Sequence, residues 1–302
     1  TTGPVAKHAA EVVAGLTDDE DRTRELFLDV ATNVRYIRLA LGLGGYAPNN
    51  ASTVLTNLYG DTRDQVVLFI SMLRSQGIMA YPAAVSNLRS TFVEGVPTLA
   101  QFDRLLVALP TEDGFRFLDP RLDDAAYNFV LYGRGNTAFV VFDDGTGELV
   151  RIPDFEPDDN LAMEFLSIQL NDDGSAQVRV TGQMHGYYDM KTRRALKDAT
   201  PSEEDKYFDQ AAGALSQGAL SADYSHSDLT NLTEEVRLRQ TVEAPDFAVV
   251  QGDMMILRVP EYPYAAATTT VYPSLSERTL PFDTQCPTRI ELPLSFLEPR
   301  QM

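Results

Sequence analysis

Six residues, Tyr59-Gly60-Asp61-Thr62-Arg63-Asp64, and the apolar run from Gln65 to Gln76 leave few choices for the fold around them. Asp61 is a natural N-cap, because its carboxylate accepts from amide groups that the first helical turn leaves unpaired. Asp64 falls in that first turn, where negative charge meets the positive end of the helix dipole. Val66, Val67, Phe69, Ile70 and Leu73 recur at helical spacing and predict a broad buried face. Gly77 suits the left-handed residue that ends a helix, and Gly60 suits a turn ahead of it. The expectation is a buried helix with Thr62 at its N-terminus, among free backbone N–H groups.

The flanking pattern is helical before this segment and extended after it. Thr17-Asp18-Asp19-Glu20 reads as a capping box for a helix to about Thr32, with Leu26, Phe27, Val30 and Ala31 inside. Val34 to Leu39 is expected to be extended, and Asn50 to cap a short helix from Ala51 to Leu58. Beyond Gly77, strands are predicted for Ile78 to Val85, Phe102 to Leu109 and Phe115 to Asp119. Glu112-Asp113-Gly114 marks one hairpin and Asp144-Gly145 a second. Residues 87 to 100 read as a loop. Ile152 to Asp159, with two prolines and several acids, reads as a boundary.

After that boundary, Met163 to Leu170 and Ala176 to Met184 flank a turn at Asn171 to Gly174. Thr200-Pro201-Ser202-Glu203 starts a helix to about Ser216, with Pro at its first position. Leu232 to Val242, Ala248 to Val259 and Thr288 to Leu292 alternate as strands. The fold class is α+β, with one domain over 1–155 and a β-rich, sandwich-type domain with an inserted helix over 156–302.

Composition removes several functional classes. A formal net charge of −19 argues against nucleic acid or an anionic membrane surface as partner. No stretch approaches the ~20 apolar residues of a membrane helix. Cys286 is the single cysteine, so neither an intrachain disulfide nor a multi-cysteine zinc site is expected. His8, His185 and His226 lie far apart, without metal-type spacing. Gly42-Leu43-Gly44-Gly45 lacks the lysine of a phosphate loop. No metal and no cofactor is therefore expected.

Four short motifs carry a resemblance. They are Asn33-Val34-Arg35-Tyr36, Gly60-Asp61-Thr62-Arg63-Asp64, Phe102-Asp103-Arg104 and Phe117-Leu118-Asp119-Pro120. In that order the chain resembles the transglutaminase-like, papain-like cysteine-enzyme superfamily. It is most similar to a bacterial cell-envelope branch, in which the core lies between two β domains. Asp173-Gly174-Ser175-Ala176, Gly186 before Arg193-Arg194, Pro281 and Ile290-Glu291-Leu292-Pro293 extend the likeness into the second half.

The resemblance implies a Cys–His–Asp triad, in which a thiolate attacks an acyl group and an imidazole moves the proton. A helix N-terminus suits a thiolate, because its field lowers a thiol pKa. The three positions fall on Thr62, Arg104 and Asp119, and only the last keeps the family's residue. An alcohol needs a base, and a guanidinium cannot be one. The expected function is thus a catalytically inactive binding or scaffolding module of the bacterial envelope or periplasm. Its partner would be a protein, peptide or cell-wall ligand. The alternative is a peptidase, amidase or transglutaminase-type acyltransferase with an unconventional nucleophile.

Arg104 is expected to pair with Asp119 and plug the old site, or else to grip an anionic ligand beside Tyr59. Tyr36, Tyr46 and Tyr59 read as rim packing or the lining of a peptide groove. Tyr187-Tyr188 with Arg193-Arg194 reads as a packed, solvated helix, and Cys286 as a structural thiol.

Overall fold

The structure, a computed structural model, describes residues 3–39, 47–86, 93, 95–96, 98–131, 135–258 and 289–297. Tyr46, the 42–45 glycine cluster, Pro281 and Cys286 lie outside these residues, as does much of the 87–100 loop. The chain divides into two compact units, Thr1–Asp154 and Phe155–Met302.

The first unit opens with α1 (Pro4–Val12), a helix that the sequence reading did not anticipate, although Pro4 stands in its first turn. Next comes α2 (Asp19–Asn33), capped by Asp18, whose carboxylate accepts from the amides of Glu20 and Asp21. The cap is therefore Asp18 rather than Thr17. Leu26, Phe27, Val30 and Ala31 are its buried stripe, as expected. After β1 (Arg35–Tyr36) come α3 (Ala51–Asn57), capped by Asn50, and β2 (Tyr59–Gly60), which pairs parallel with β1.

The central helix, α4, spans Thr62–Ser75. Val66, Leu68, Phe69, Met72 and Leu73 are fully buried, and each contributes roughly 1.5–3 kcal/mol. Val67, expected inside, is only half-buried. Gly77, at φ +82°, ends the helix. Gly60 differs from expectation. It has no positive φ; instead a Cβ there would lie 2.6 Å from the Cβ of Asp64. Glycine is needed for close approach, not for a turn.

Five antiparallel strands follow: β3 (Tyr81–Val85), β4 (Arg104–Thr111), β5 (Gly114–Leu118), β6 (Thr137–Val141) and β7 (Gly147–Arg151). Their order is β5-β4-β3-β6-β7, and both predicted hairpins are present. One face carries Ala83, Leu106, Ala108, Phe117 and Val140, which form a core with Val130 and Ile152. On the other side the helices dock: α4 packs on β4 and β3. Phe27 of α2 meets Phe69 of α4 and Tyr127 edge-on.

The second unit contains the long hairpin β8 (Leu161–Leu170) and β9 (Ala176–Met184), then α5 (Tyr187–Leu196), α6 (Pro201–Leu215), β10 (Leu220–His226) and β11 (Val236–Ala244). A short hairpin, β12 (Ala248–Gln251) and β13 (Met254–Leu257), forms its own small sheet. Both β14 (Arg289–Glu291) and β15 (Leu294–Leu297) pair with β8, giving a six-stranded sheet. Residues alternate inward and outward along β9 and β11, so the apolar residues of one face meet Tyr188, Leu196, Phe208 and Leu215 of the two helices. Among the described residues the layer facing the sheet is therefore helical, where a sandwich-type arrangement was expected. Arg193 is fully buried and bonds Asp189 and the carbonyls of Leu229, Asn231 and Glu234, so α5 is not solvated on that face.

Candidate functional site

The N-terminal turn of α4 is enclosed rather than exposed. Asp61, Thr62, Arg63, Asp64 and Gln65 are all buried. Four of these side chains build the frame around Thr62. Asp61 accepts from the amides of Arg63 and Asp64 and ion-pairs with the Arg63 guanidinium. Asp64 reaches back to the Asp61 amide at 3.2 Å, which closes a capping box. The Asp64 carboxylate also holds the Asn49 amide at 2.7 Å and its side chain at 3.1 Å. Burial by itself would raise the Asp61 pKa, but its bonds to Arg63 and to the amides hold it below the ordinary carboxylate value.

A second set of bonds brings Tyr36 to the site. Gln65 donates to the Val34 carbonyl at 2.5 Å, fixing the chain just before β1. Arg35 donates to Leu58 at 3.0 Å and Ile37 to Gly60 at 2.8 Å, which ties β1 to β2. Tyr36 is thereby held so that its hydroxyl is the hydrogen-bond partner of Thr62 Oγ1 at 3.5 Å, the long limit for such a bond.

Asp119 follows β5 and is fully buried. Arg121 Nε donates to its Oδ1 at 2.7 Å, and Nη2 donates to Oδ2, so the pair is bidentate. The same guanidinium lies 5.5 Å from the centroid of the Tyr36 ring, within cation–π range. Burial works to lower the Arg121 pKa, but the Asp119 carboxylate outweighs it and the pKa is raised above its ordinary value. Arg121 is therefore charged at neutral pH.

The result is a continuous line of contacts: Thr62 hydroxyl, Tyr36, Arg121, Asp119. It corrects the expected plug. Asp119 takes its cation from Arg121, two residues on, and not from Arg104. Arg104 is the first residue of β4, half-buried, in register with Val85. Tyr59 stands opposite Arg35 in the β1–β2 pair and is 47% exposed. Sequence reasoning did not single out Arg121. The signal was present, since an Asp-Pro-Arg run after a strand lets the arginine fold back on the aspartate.

The three histidines are engaged elsewhere. His8 bonds Asp29 at 2.7 Å, His185 faces Glu235 at 3.1 Å, and His226 contacts the Ser227 carbonyl at 2.8 Å. The chemistry at Thr62 follows from its neighbours. Among the described residues the hydrogen-bond partner of the Thr62 hydroxyl is another hydroxyl, and the cation beyond it cannot serve as a base. No group of three or more metal-ligating side chains occurs among the described residues. No helix among them is long and apolar enough to cross a membrane.

Residues 6–88 match the model of the transglutaminase-like superfamily. The matched segment holds Thr62 and Tyr36 and ends before Arg104 and Asp119. No curated protein matches the chain. A solved structure from Parabacteroides distasonis, described as a "putative protease", is similar at 14% identity and a TM-score of 0.42. That similarity covers 80% of this chain and 48% of the other, so the chain spans about half the length of that protein.

Proposed function

We propose that the segment matching the transglutaminase-like model, residues 6–88, belongs to a core that has lost acyl transfer, and that the chain serves as a binding or scaffolding module of the bacterial cell envelope. The observation that carries the reading is the surroundings of Thr62. Its hydroxyl bonds Tyr36, and behind Tyr36 stands the Arg121–Asp119 ion pair. In a working triad the carboxylate orients an imidazole. Here both oxygens of Asp119 are occupied by a permanent cation. Losing a nucleophile and its base costs several powers of ten in rate, so what remains is a folded surface without a reaction.

The envelope assignment rests on the motifs shared with the envelope branch. Fractionation of the native protein tests it; recovery in the cytoplasmic fraction alone would remove it. Catalysis is tested by amide hydrolysis and amine incorporation with glutamine-containing peptides, comparing the natural protein with Thr62→Ala. Equal, background signals are expected. Turnover that disappears in Thr62→Ala would establish instead an amidase or acyltransferase with a threonine nucleophile.

A further inference from the structure

The six-stranded sheet of the second unit has a helix-covered face and an outward face. Alternation along the strands puts Arg179 of β9 and Arg237 and Arg239 of β11 on the outward face, and all three are exposed. The register sets them in three successive outward rows: Arg237 opposite Gln183, Arg239 opposite Thr181, and Arg179 opposite Thr241. Neighbouring strands lie ~4.8 Å apart and outward residues along a strand ~7 Å apart, so the three guanidinium groups share a patch about 5 by 14 Å. Phe165, 45% exposed, lengthens the middle row, because it stands opposite Thr181 on β8.

This grouping is unusual for a chain of net charge −19. Other arginines meet a carboxylate, as Arg63, Arg121, Arg151 and Arg193 do. None of these three forms an ion pair with a described residue. Acids at the margin turn elsewhere: Glu243 accepts from Gln177, and Glu235 accepts from Gln183 and faces His185. Asp223 on β10, opposite Thr241, is not bonded to any of them. Three like charges at this spacing repel one another, and a facing anion would relieve that repulsion. Arginine and aromatic side chains together also supply most of the energy at protein interfaces, the first through bidentate bonds to carboxylates.

We propose that this open face docks a short, carboxylate-rich segment of a partner protein. The rest of the molecule sets the length limit. A long polyanion would run past the patch onto a strongly negative surface and be repelled. A short acidic segment stays within the three rows and lays apolar surface on Phe165. The proposal concerns the second unit and stands whether or not Thr62 is catalytic.

The test uses the full chain and a fluorescein-labelled dodecapeptide of alternating Glu and Tyr, followed by anisotropy at low and high salt. The comparison protein is Arg179→Gln/Arg237→Gln/Arg239→Gln, in which only exposed side chains change; circular dichroism checks its fold. The natural protein is expected to bind this peptide about tenfold or more tightly than its Gln-for-Glu counterpart. The triple variant is expected to lose that preference, and salt to weaken it. Equal binding by natural and triple-variant protein overturns the proposal. So does preferential, arginine-dependent binding of inorganic polyphosphate or phosphatidylglycerol vesicles. Self-association in sedimentation that vanishes in the triple variant would make the occupant a second copy of this chain, and would equally overturn it.

Discussion

Asp119 and Arg121, two residues apart, form a bidentate ion pair that is almost wholly buried, with side chains 0% and 3% exposed. Pro120 between them lets the chain fold back on itself, and Tyr36 covers the guanidinium. The carboxylate that the resemblance assigns to the triad's third position thus has an arginine as its neighbour. Both of its oxygens accept from that guanidinium.

Breaking that pair from one side should be costly. Asp119→Asn breaks the ion pair of the buried Arg121 with Asp119, and a loss of about 3–5 kcal/mol is expected in urea unfolding. Asp119→Asn/Arg121→Met removes the charge as well and should recover a large part of that loss. A single substitution costing under ~1 kcal/mol would mean that Arg121 finds water or another acid.

The first turn of α4 predicts a pH dependence. The Asp61 pKa is depressed in the folded state, so its contribution is present above the unfolded value near 3.8 and is lost as pH falls through the folded value. Stability measured from about pH 5 downward should fall less steeply in Asp61→Asn than in the natural protein. The variant should also be less stable at neutral pH, because the buried Arg63 loses its ion pair with Asp61. Parallel acid curves would contradict this role.

Gly60→Ala should destabilise the first unit by about 1–3 kcal/mol, the usual cost of overpacking a tight site. The new Cβ would meet the Cβ of Asp64 at 2.6 Å and push the capping box open. Gly60→Ala/Asp64→Gly makes room for the Cβ at the expense of the box. If the single variant unfolds at the natural denaturant midpoint, the approach of these two residues is looser than described.

Thr62→Val should be close to neutral, within about 1 kcal/mol, because the hydroxyl contributes one long bond to Tyr36. The buried position accepts a side chain of the same shape. A loss well above that in thermal or urea unfolding would reveal a stronger partner for the hydroxyl.

Local features of the sequence were read more faithfully than the contacts between distant segments. Asp61 as cap and Gly77 as terminator of α4, Asn50 as cap of α3, and the turns at Asp144-Gly145 and Asn171 to Gly174 follow from side-chain chemistry within a few residues. Helix α6 has the Thr200–Glu203 box at its predicted start. By contrast, β10, whose burial alternates weakly, went unanticipated, as did β15 and α1. At the site, the place of Thr62 at the start of α4 and of Asp119 at the end of a strand segment was legible. Their partners were not, since Tyr36 arrives through the β1–β2 pairing and the Gln65–Val34 bond. A guanidinium can reach several acids, and only the folded turn at Pro120 selects Arg121 over Arg104. Arg193, read as solvated, is buried because three loop carbonyls and Asp189 surround it, and periodicity alone contains none of these.

The central claim is the proposed loss of acyl transfer at Thr62, and covalent labelling tests it most directly. The full chain is incubated at neutral pH with an activated ester, p-nitrophenyl acetate, digested, and mapped by mass spectrometry. The account predicts background acetylation of lysines and no acetyl group on Thr62. An acyl adduct on Thr62, formed faster than on any surface lysine, would contradict it.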